Sequence, residues 1–234
     1  MSIAENVARV RERIAAAAHR AGRGPDEISL MAVTKTHPPE RIREAYVARL
    51  RLFGENRVQE FARKAEALRG LNNATWHMIG HLQSNKASHA AGLFDAIDSV
   101  DSLKLAEKLN ASAQKSCIKL PVLLEINLGG EAAKSGVAPG SRELETILES
   151  AFRLTNLAFR GLMTIPPFTE NPHDARPYFR QLRSLRDVLA ARKLPAIGMD
   201  ELSMGMSHDF EVAIEEGSTC VRVGTAIFGE RATR

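Results

Sequence analysis

ISLMAVTKTHPPERIREAYVARLRLFGE, residues 28–55, decides the fold. A short apolar run, 28–34, stops at Lys35. A histidine and two prolines follow, then the helical stretch PPERIREAYVAR, then a second short apolar run, LFGE at 52–55. A helix of this length between two short strands requires a crossover connection, so the strands it joins are parallel. Lysine is among the residues least often buried, so one standing where a strand gives way to a loop needs an explanation.

The same alternation continues to the end of the chain. Further β-type runs are TWHMIG (75–80), AIDSV (96–100), PVLLEIN (121–127), FRGLMTI (159–165), ELSMG (201–205) and VRVGTA (221–226). Between them, segments such as VQEFARKAEALRG, SLKLAEKLNASAQK and RELETILESAFRL carry helical periodicity. Eight strand–helix units predict an α/β protein, a single (β/α)8 TIM barrel spanning residues 1–234. An extra helix precedes it, with Ile3, Val7, Val10, Ile14 and Ala17 on one face. The competing architecture, a doubly wound open sheet, normally carries a GxGxxG or GxxxxGK[ST] loop, and neither occurs.

Composition narrows the function. Of the 234 residues 44% are hydrophobic, enough for a sizeable core, and 26% are charged, as in ordinary soluble proteins. Aromatics at 5% argue against stacking platforms for single-stranded nucleic acid. The formal charge of +4 is scattered over helical segments, so no nucleic-acid footprint is expected, although a basic tilt favours small anions. Cys117 and Cys220 form no CxxC or Cys/His cluster, which points to a reducing compartment. No apolar run reaches the roughly 18 residues that span a bilayer. The amphipathic N-terminus resembles a transit peptide, but Glu5 and Glu12 count against that, and the expectation is a cytoplasmic monomer.

In barrels of this kind functional groups gather at the C-terminal ends of the strands. The first strand delivers Lys35, the second Glu55 and Asn56, the third His81, Gln83 and Asn85. SMGMSHDFEVAIEEG reads as strand, turn and helix with Ser207 as N-cap, a suitable place for a phosphate. RVGTAIFG adds Gly224, where a backbone can approach a ligand, and Thr225, with an N–H and a hydroxyl. A capping serine or a turn glycine accounts for either signal taken alone. Occurring together after strands seven and eight, they favour a phosphate-bearing ligand.

Arg222 shares a strand face with Gly224. Directed into the barrel it needs an acceptor, and a ring nitrogen, Glu125 or Glu201 would each serve. Lys35 among apolar strand residues would lose hydration, leaving more free amine to attack an aldehyde, while a lysine snorkelling to water is the plain alternative. His77 and His81 have the spacing of a helical zinc pair, but on a strand they stand about 13 Å apart and cannot share a metal. Asn56 opens an N-cap pattern, and His37 and Lys134 read as solvated loop residues.

AVTKTHP, FGENRVQE, WHMIGHLQSNK, GLMTIPP, LSMGMSHDF and VRVGTAIFG together resemble the signature segments of the pyridoxal phosphate homeostasis proteins, in the family's order and over nearly the whole chain. The resemblance implies a barrel like the N-terminal domain of alanine racemase, with pyridoxal 5′-phosphate (PLP) held as an internal aldimine. Lys35 would form the Schiff base. Ser207, Gly224 and Thr225 would hold the phosphate, and Arg222 would face the pyridine nitrogen. Asn56 would lie beside the ring, with Met204 and Met163 lining the pocket. His81 stands where family members carry proline.

The resemblance implies a role in vitamin B6 homeostasis: sequestering PLP and other B6 vitamers and releasing them to PLP-dependent apoenzymes or to the salvage pathway, without robust catalysis and with no catalytic or metal residues expected. An arginine at the pyridine nitrogen weakens the ring as an electron sink, which leaves a small amino-acid racemase as the enzymatic alternative. Racemization in the alanine racemase relatives needs a second base, a tyrosine supplied with a C-terminal β domain. Here the chain stops at Arg234, just beyond the eighth strand, and its two tyrosines, Tyr46 and Tyr178, fall in helical segments. A Schiff-base aldolase on the same barrel is a third reading.

Overall fold

The computed structural model describes residues 1–130 and 135–230, so Lys134 lies outside the described residues. Its strands are β1 (Ser29–Val33), β2 (Leu52–Glu55), β3 (Thr75–Met78), β4 (Ala96–Val100), β5 (Leu120–Glu125), β6 (Leu157–Met163), β7 (Ile197–Met206) and β8 (Cys220–Val223). They pair in parallel in sequence order, and β8 closes the barrel against β1. The helices are α1 (Ile3–Arg20), α2 (Pro39–Val47), α3 (Val58–Leu68), α4 (Ala87–Ala91), α5 (Leu103–Lys115), α6 (Arg142–Ser150), α7 (Arg176–Ala191), α8 (Phe210–Glu215) and α9 (Thr225–Phe228).

The leading helix forms for reasons local to its sequence. Ser2 caps it: its hydroxyl accepts from Glu5 N at 3.2 Å while Glu5 returns a bond to Ser2 N at 2.8 Å. The expected apolar face is buried, with Ile3, Val7, Val10 and Ile14 all at most 4% exposed. Arg13 and Arg20 then reach Glu211 and Glu215 of α8 at 2.6 and 2.9 Å, tying the start of the chain to the last strand–helix unit.

Two strand boundaries depart from the sequence expectation by three or more residues, the others by two at most. β7 begins at Ile197 rather than Glu201, because Ile197 already pairs with Phe159 of β6. β8 ends at Val223 rather than Ala226, since the chain turns at Gly224 into the single helical turn α9. Short helical turns cannot be told from a strand end by apolar content alone.

Two kinds of interior result. Between strands and helices lies a continuous apolar layer including Ile14, Ile42, Phe53, Leu105, Ile147, Phe179 and Phe210. Each such fully buried side chain contributes about 1.5–3 kcal/mol relative to exposure. Inside the barrel a smaller apolar group, Met31, Val33, Ile79 and Cys220, sits among polar side chains. Ser203 and Arg222 lie on the same inward face as Cys220. His77 Nδ1 meets both Asp98 oxygens at 3.0 and 3.2 Å. His81 bonds Asp101 instead, and among the described residues no three His, Cys, Asp or Glu side chains converge to hold a metal. No helix among them is long and apolar enough to cross a membrane.

Burial pulls the His77 pKa down, but the charge and hydrogen bond of Asp98 outweigh it, leaving a net value above the ordinary one of about 6.5. Protonated His77 therefore stabilises the fold fully below the unfolded pKa, and this contribution is lost as pH rises through the folded value. Chemical denaturation of the wild type and His77→Asn across neutral pH should show the gap between them narrowing as pH increases. A constant gap would rule out the buried imidazolium.

Candidate functional site

The C-terminal ends of β1, β7 and β8 converge on one cavity of about 250 Å³, lined by Lys35, His37, Asn56, Ser207, Arg222, Gly224 and Thr225 together with Val33, Ile79, Ile165, Met206, His208 and Gly229. The sequence reading names six of these as site residues: Lys35, Asn56, Ser207, Arg222, Gly224 and Thr225. Lys35 is half-buried where β1 ends, and the residue after it, Thr36, has φ of 68°. A β-branched residue in the left-handed region is strained, and such strain concentrates at functional sites.

At the other side of the β1–β8 seam the chain brings hydroxyls and backbone amides together. Gly205 has φ of 91°, and a Cβ there would lie 2.5 Å from Ala213 Cβ, so only glycine allows the tight turn out of β7. That turn brings the Ser207 hydroxyl to Gly224 N at 3.2 Å and Ala226 N at 3.3 Å. Ser207 is therefore not the N-cap of α8. Asp209 holds that position, and its carboxylate accepts from Met206 N at 2.6 Å. With both lone pairs of Ser207 engaged by amides, its O–H proton is directed away from them. Thr225 adds its backbone and hydroxyl to the same wall.

Gly224 has no steric need within the chain to be glycine. A Cβ there would meet Val33 at an ordinary 3.5 Å, and φ is −112°. Gly224 and Val33 both border the cavity, so a side chain added there would stand at its wall.

Arg222 is 2% exposed and points into the barrel. Nη1 donates to Ser203 Oγ and Nη2 to the Thr164 carbonyl, both at 2.8 Å. The internal ion pair does not form among the described residues: Glu201 bonds Arg160 at 3.3 Å, and Glu125 accepts from Ser135 at 3.0 Å. Desolvation lowers the Arg222 pKa despite the opposing pull of surrounding acids, yet guanidinium remains charged at any physiological pH. A buried cation with neutral partners on one side and a cavity on the other awaits an acceptor.

Asn56 supplies a second unmet group. The N-cap of α3 is Arg57, so Asn56 is not spent on capping, and its Oδ1 is buried with no hydrogen-bond partner. Its backbone is fixed by the close passage of Gly80, where a Cβ would lie 2.4 Å from Asn56 O.

Several residues fall elsewhere than expected. Met204 does not border the cavity. With Ser203 inward, strand alternation turns Met204 outward into the layer it shares with Val221, Val223 and Phe210. Met163 is fully buried level with Ser203 and likewise lines no part of the cavity. His37, expected in solvent, is half-buried, with its ring stacked on Phe228 at 4.4 Å, and it borders the site. His81 is exposed and away from this cavity. Met206, His208 and Ile165 were missed, although the first two flank Ser207 in sequence and their neighbourhood was the available signal.

Comparison with known proteins accords with this geometry. The family described as alanine racemase, N-terminal domain, matches residues 3–232. The pyridoxal phosphate homeostasis protein of Aquifex aeolicus is 50% identical over 231 residues, covering 99% of both chains. That of Escherichia coli is 43% identical and covers 98% of this chain and 97% of its own. PipY of Synechococcus elongatus, a structure with PLP bound, superposes with a TM-score of 0.85 at 38% identity, covering 97% of this chain and all of the other. Alanine racemase of Clostridium difficile, at 14% identity and a TM-score of 0.73 over 57% of its length, shares the fold. The chain belongs to the pyridoxal phosphate homeostasis protein family, built on the alanine racemase N-terminal barrel.

Proposed function

We propose that this protein holds PLP covalently on Lys35 and serves vitamin B6 homeostasis, storing the cofactor and releasing it to apoenzymes without robust catalysis of its own. The observation that carries the reading is one cavity in which a primary amine and the hydroxyls of Ser207 and Thr225 meet beside a buried guanidinium without a hydrogen-bonded carboxylate partner. When bound, PLP supplies an aldehyde that condenses with a primary amine, forming one C=N bond and releasing one water, and a phosphate dianion.

The chain's own groups divide the work. Lys35 presents the amine at the rim of β1. Ser207, its oxygen occupied by two amides, donates its proton to an anion, and Thr225 adds an N–H and a hydroxyl. Gly224 keeps the space that an anionic tail needs. Arg222, a donor that cannot accept, faces a ring nitrogen and holds it unprotonated. Asn56 uses its side-chain amide beside the ring.

This set suits retention more than turnover. An unprotonated ring nitrogen is a poor electron sink, and racemization further requires a second base. Neither tyrosine borders the cavity: the Tyr46 hydroxyl bonds Asn72 O at 2.8 Å, and Tyr178 belongs to α7. The fold shared with alanine racemase keeps a racemase as the rival reading, and loss of optical activity from single-enantiomer amino acids would favour it.

Borohydride treatment of the PLP-loaded protein followed by peptide mapping should place the vitamer on Lys35. Lys35→Ala should lose the visible absorbance band while retaining weak binding through the phosphate, and an adduct at another lysine would overturn the assignment. Gly224→Ala should melt close to wild type yet weaken PLP binding about tenfold, since its Cβ meets only ordinary contacts within the chain but occupies cavity space. Unchanged affinity in that variant would remove Gly224 from the phosphate cradle.

A further inference from the structure

Lys64 of α3 is a buried lysine that the cavity does not use. Its side chain is 9% exposed, and Nζ lies 2.8 Å from Glu55 Oε1, 2.9 Å from Glu60 Oε1, 3.1 Å from Thr34 O and 3.3 Å from His37 O. The two carboxylates are shared further. The same Glu55 oxygen accepts the Thr34 hydroxyl at 2.6 Å, and the same Glu60 oxygen accepts Thr36 N–H at 2.6 Å. One ammonium and two carboxylates thus fasten residues 34, 36 and 37, on both sides of Lys35, to the end of β2 and the first turns of α3.

We propose that Lys64, Glu55 and Glu60 are positioning residues for Lys35, fixing the backbone turn that delivers its amine to the cavity. The proposal rests on the reading of Lys35 given above and deepens it. Three features favour positioning over simple support. A buried ion pair is weak evidence for stability, because apolar residues of similar size commonly do as well. Apolar residues cannot, however, hold a carbonyl, a hydroxyl and an N–H in set directions. α3 already has an apolar anchor in Val58, Phe61 and Leu68. And Thr36, with φ of 68°, takes a conformation its own side chain disfavours, while its N–H is held by Glu60. The turn also carries His37 onto Phe228 of α9, so the amine and the donor cradle share one frame.

The test separates reach of the amine from affinity of the site. Pyridoxine 5′-phosphate carries the ring and phosphate of PLP but an alcohol in place of the aldehyde, so it reports non-covalent binding alone. In Lys64→Met and Glu60→Ala, the rate of borohydride-trappable PLP uptake should fall by about tenfold or more, as expected for a misplaced nucleophile. Affinity for pyridoxine 5′-phosphate should stay within about threefold of wild type. Glu60→Gln, which keeps an acceptor for Thr36 N–H, should restore most of the uptake rate.

Folded variants that take up PLP at the wild-type rate would overturn the proposal. So would an equal loss for both ligands, the mark of general loosening. Should Lys64→Met fail to fold, Glu60→Ala decides, since its side chain is 26% exposed. Failure of Glu60→Ala to fold would make the cluster a fold element and overturn the proposal. No adduct on Lys35 in the wild type would instead overturn the cofactor reading itself, and this proposal with it. An adduct in the wild type with unchanged variants overturns the positioning role alone.

Discussion

Parallel pairing of β1 with β8 is the constraint on which the site depends. Ser29 faces Cys220, Met31 faces Arg222 and Ala32 faces Val223 across this seam. Parallel strands in register end together, so the two chain segments that leave them, one carrying Lys35 and the other Gly224 and Thr225, emerge side by side. Nearly the whole sequence lies between these neighbours, and the pairing makes them adjacent only because the other six strands complete the circle. α1 reinforces the closure from outside. Asn6 donates to Ile227 O at 2.9 Å, and the arginines of α1 reach α8, so the first helix braces the unit on which the last strand depends.

The barrel also tolerates costly groups within it. Arg222, Asp98 and Glu125 are nearly or fully buried, and burying a charge without ample hydrogen bonding is expensive. The apolar layer between strands and helices, continuous around the barrel, supplies the offsetting stability. Function then occupies the inner face, where Ser203 and Thr164 bond Arg222 and nearby acids act on it without a direct ion pair among the described residues. A barrel built only for stability would fill those positions with valine, leucine and isoleucine.

The fold was legible because strand–helix alternation is a long-range pattern repeated eight times, and one misplaced boundary does not disturb it. The site was legible where a residue type is chemically demanding. Lys35 and Arg222 are charged in apolar surroundings, and serine, glycine and threonine cluster at the ends of two strands. What stayed hidden depended on side-chain direction and on tertiary partners. Met204 shows the first: its neighbours in sequence are at the site, yet a single step along the strand turns it to the opposite face. Ser207 shows the second. Its local sequence suggests capping of the helix that follows it, whereas it bonds two amides at the start of a different helix, 17 and 19 residues on. His37 was misread for the same reason, because nothing near it in sequence reveals the Phe228 ring on which it stacks.

Retention and catalysis ask different things of one amine. A catalytic lysine must leave its cofactor and return within each turnover, so the surrounding site must furnish a partner for every proton in transit. A storage site needs strong anchorage at the end remote from the bond and a bond that water or another amine can reverse. On the proposed reading that anchorage falls to the Ser207–Gly224–Thr225 end, where the Ser207 hydroxyl is tied into backbone amides and does not titrate near neutrality. The amine end is set by a turn held under strain, at the rim of the cavity. Two unequal attachments of this kind would allow the proposed covalent link to open while the phosphate stays in place, so opening need not mean escape. Release would then require a second event at the cradle, and a site that separates the two events retains its ligand longer than either attachment would alone.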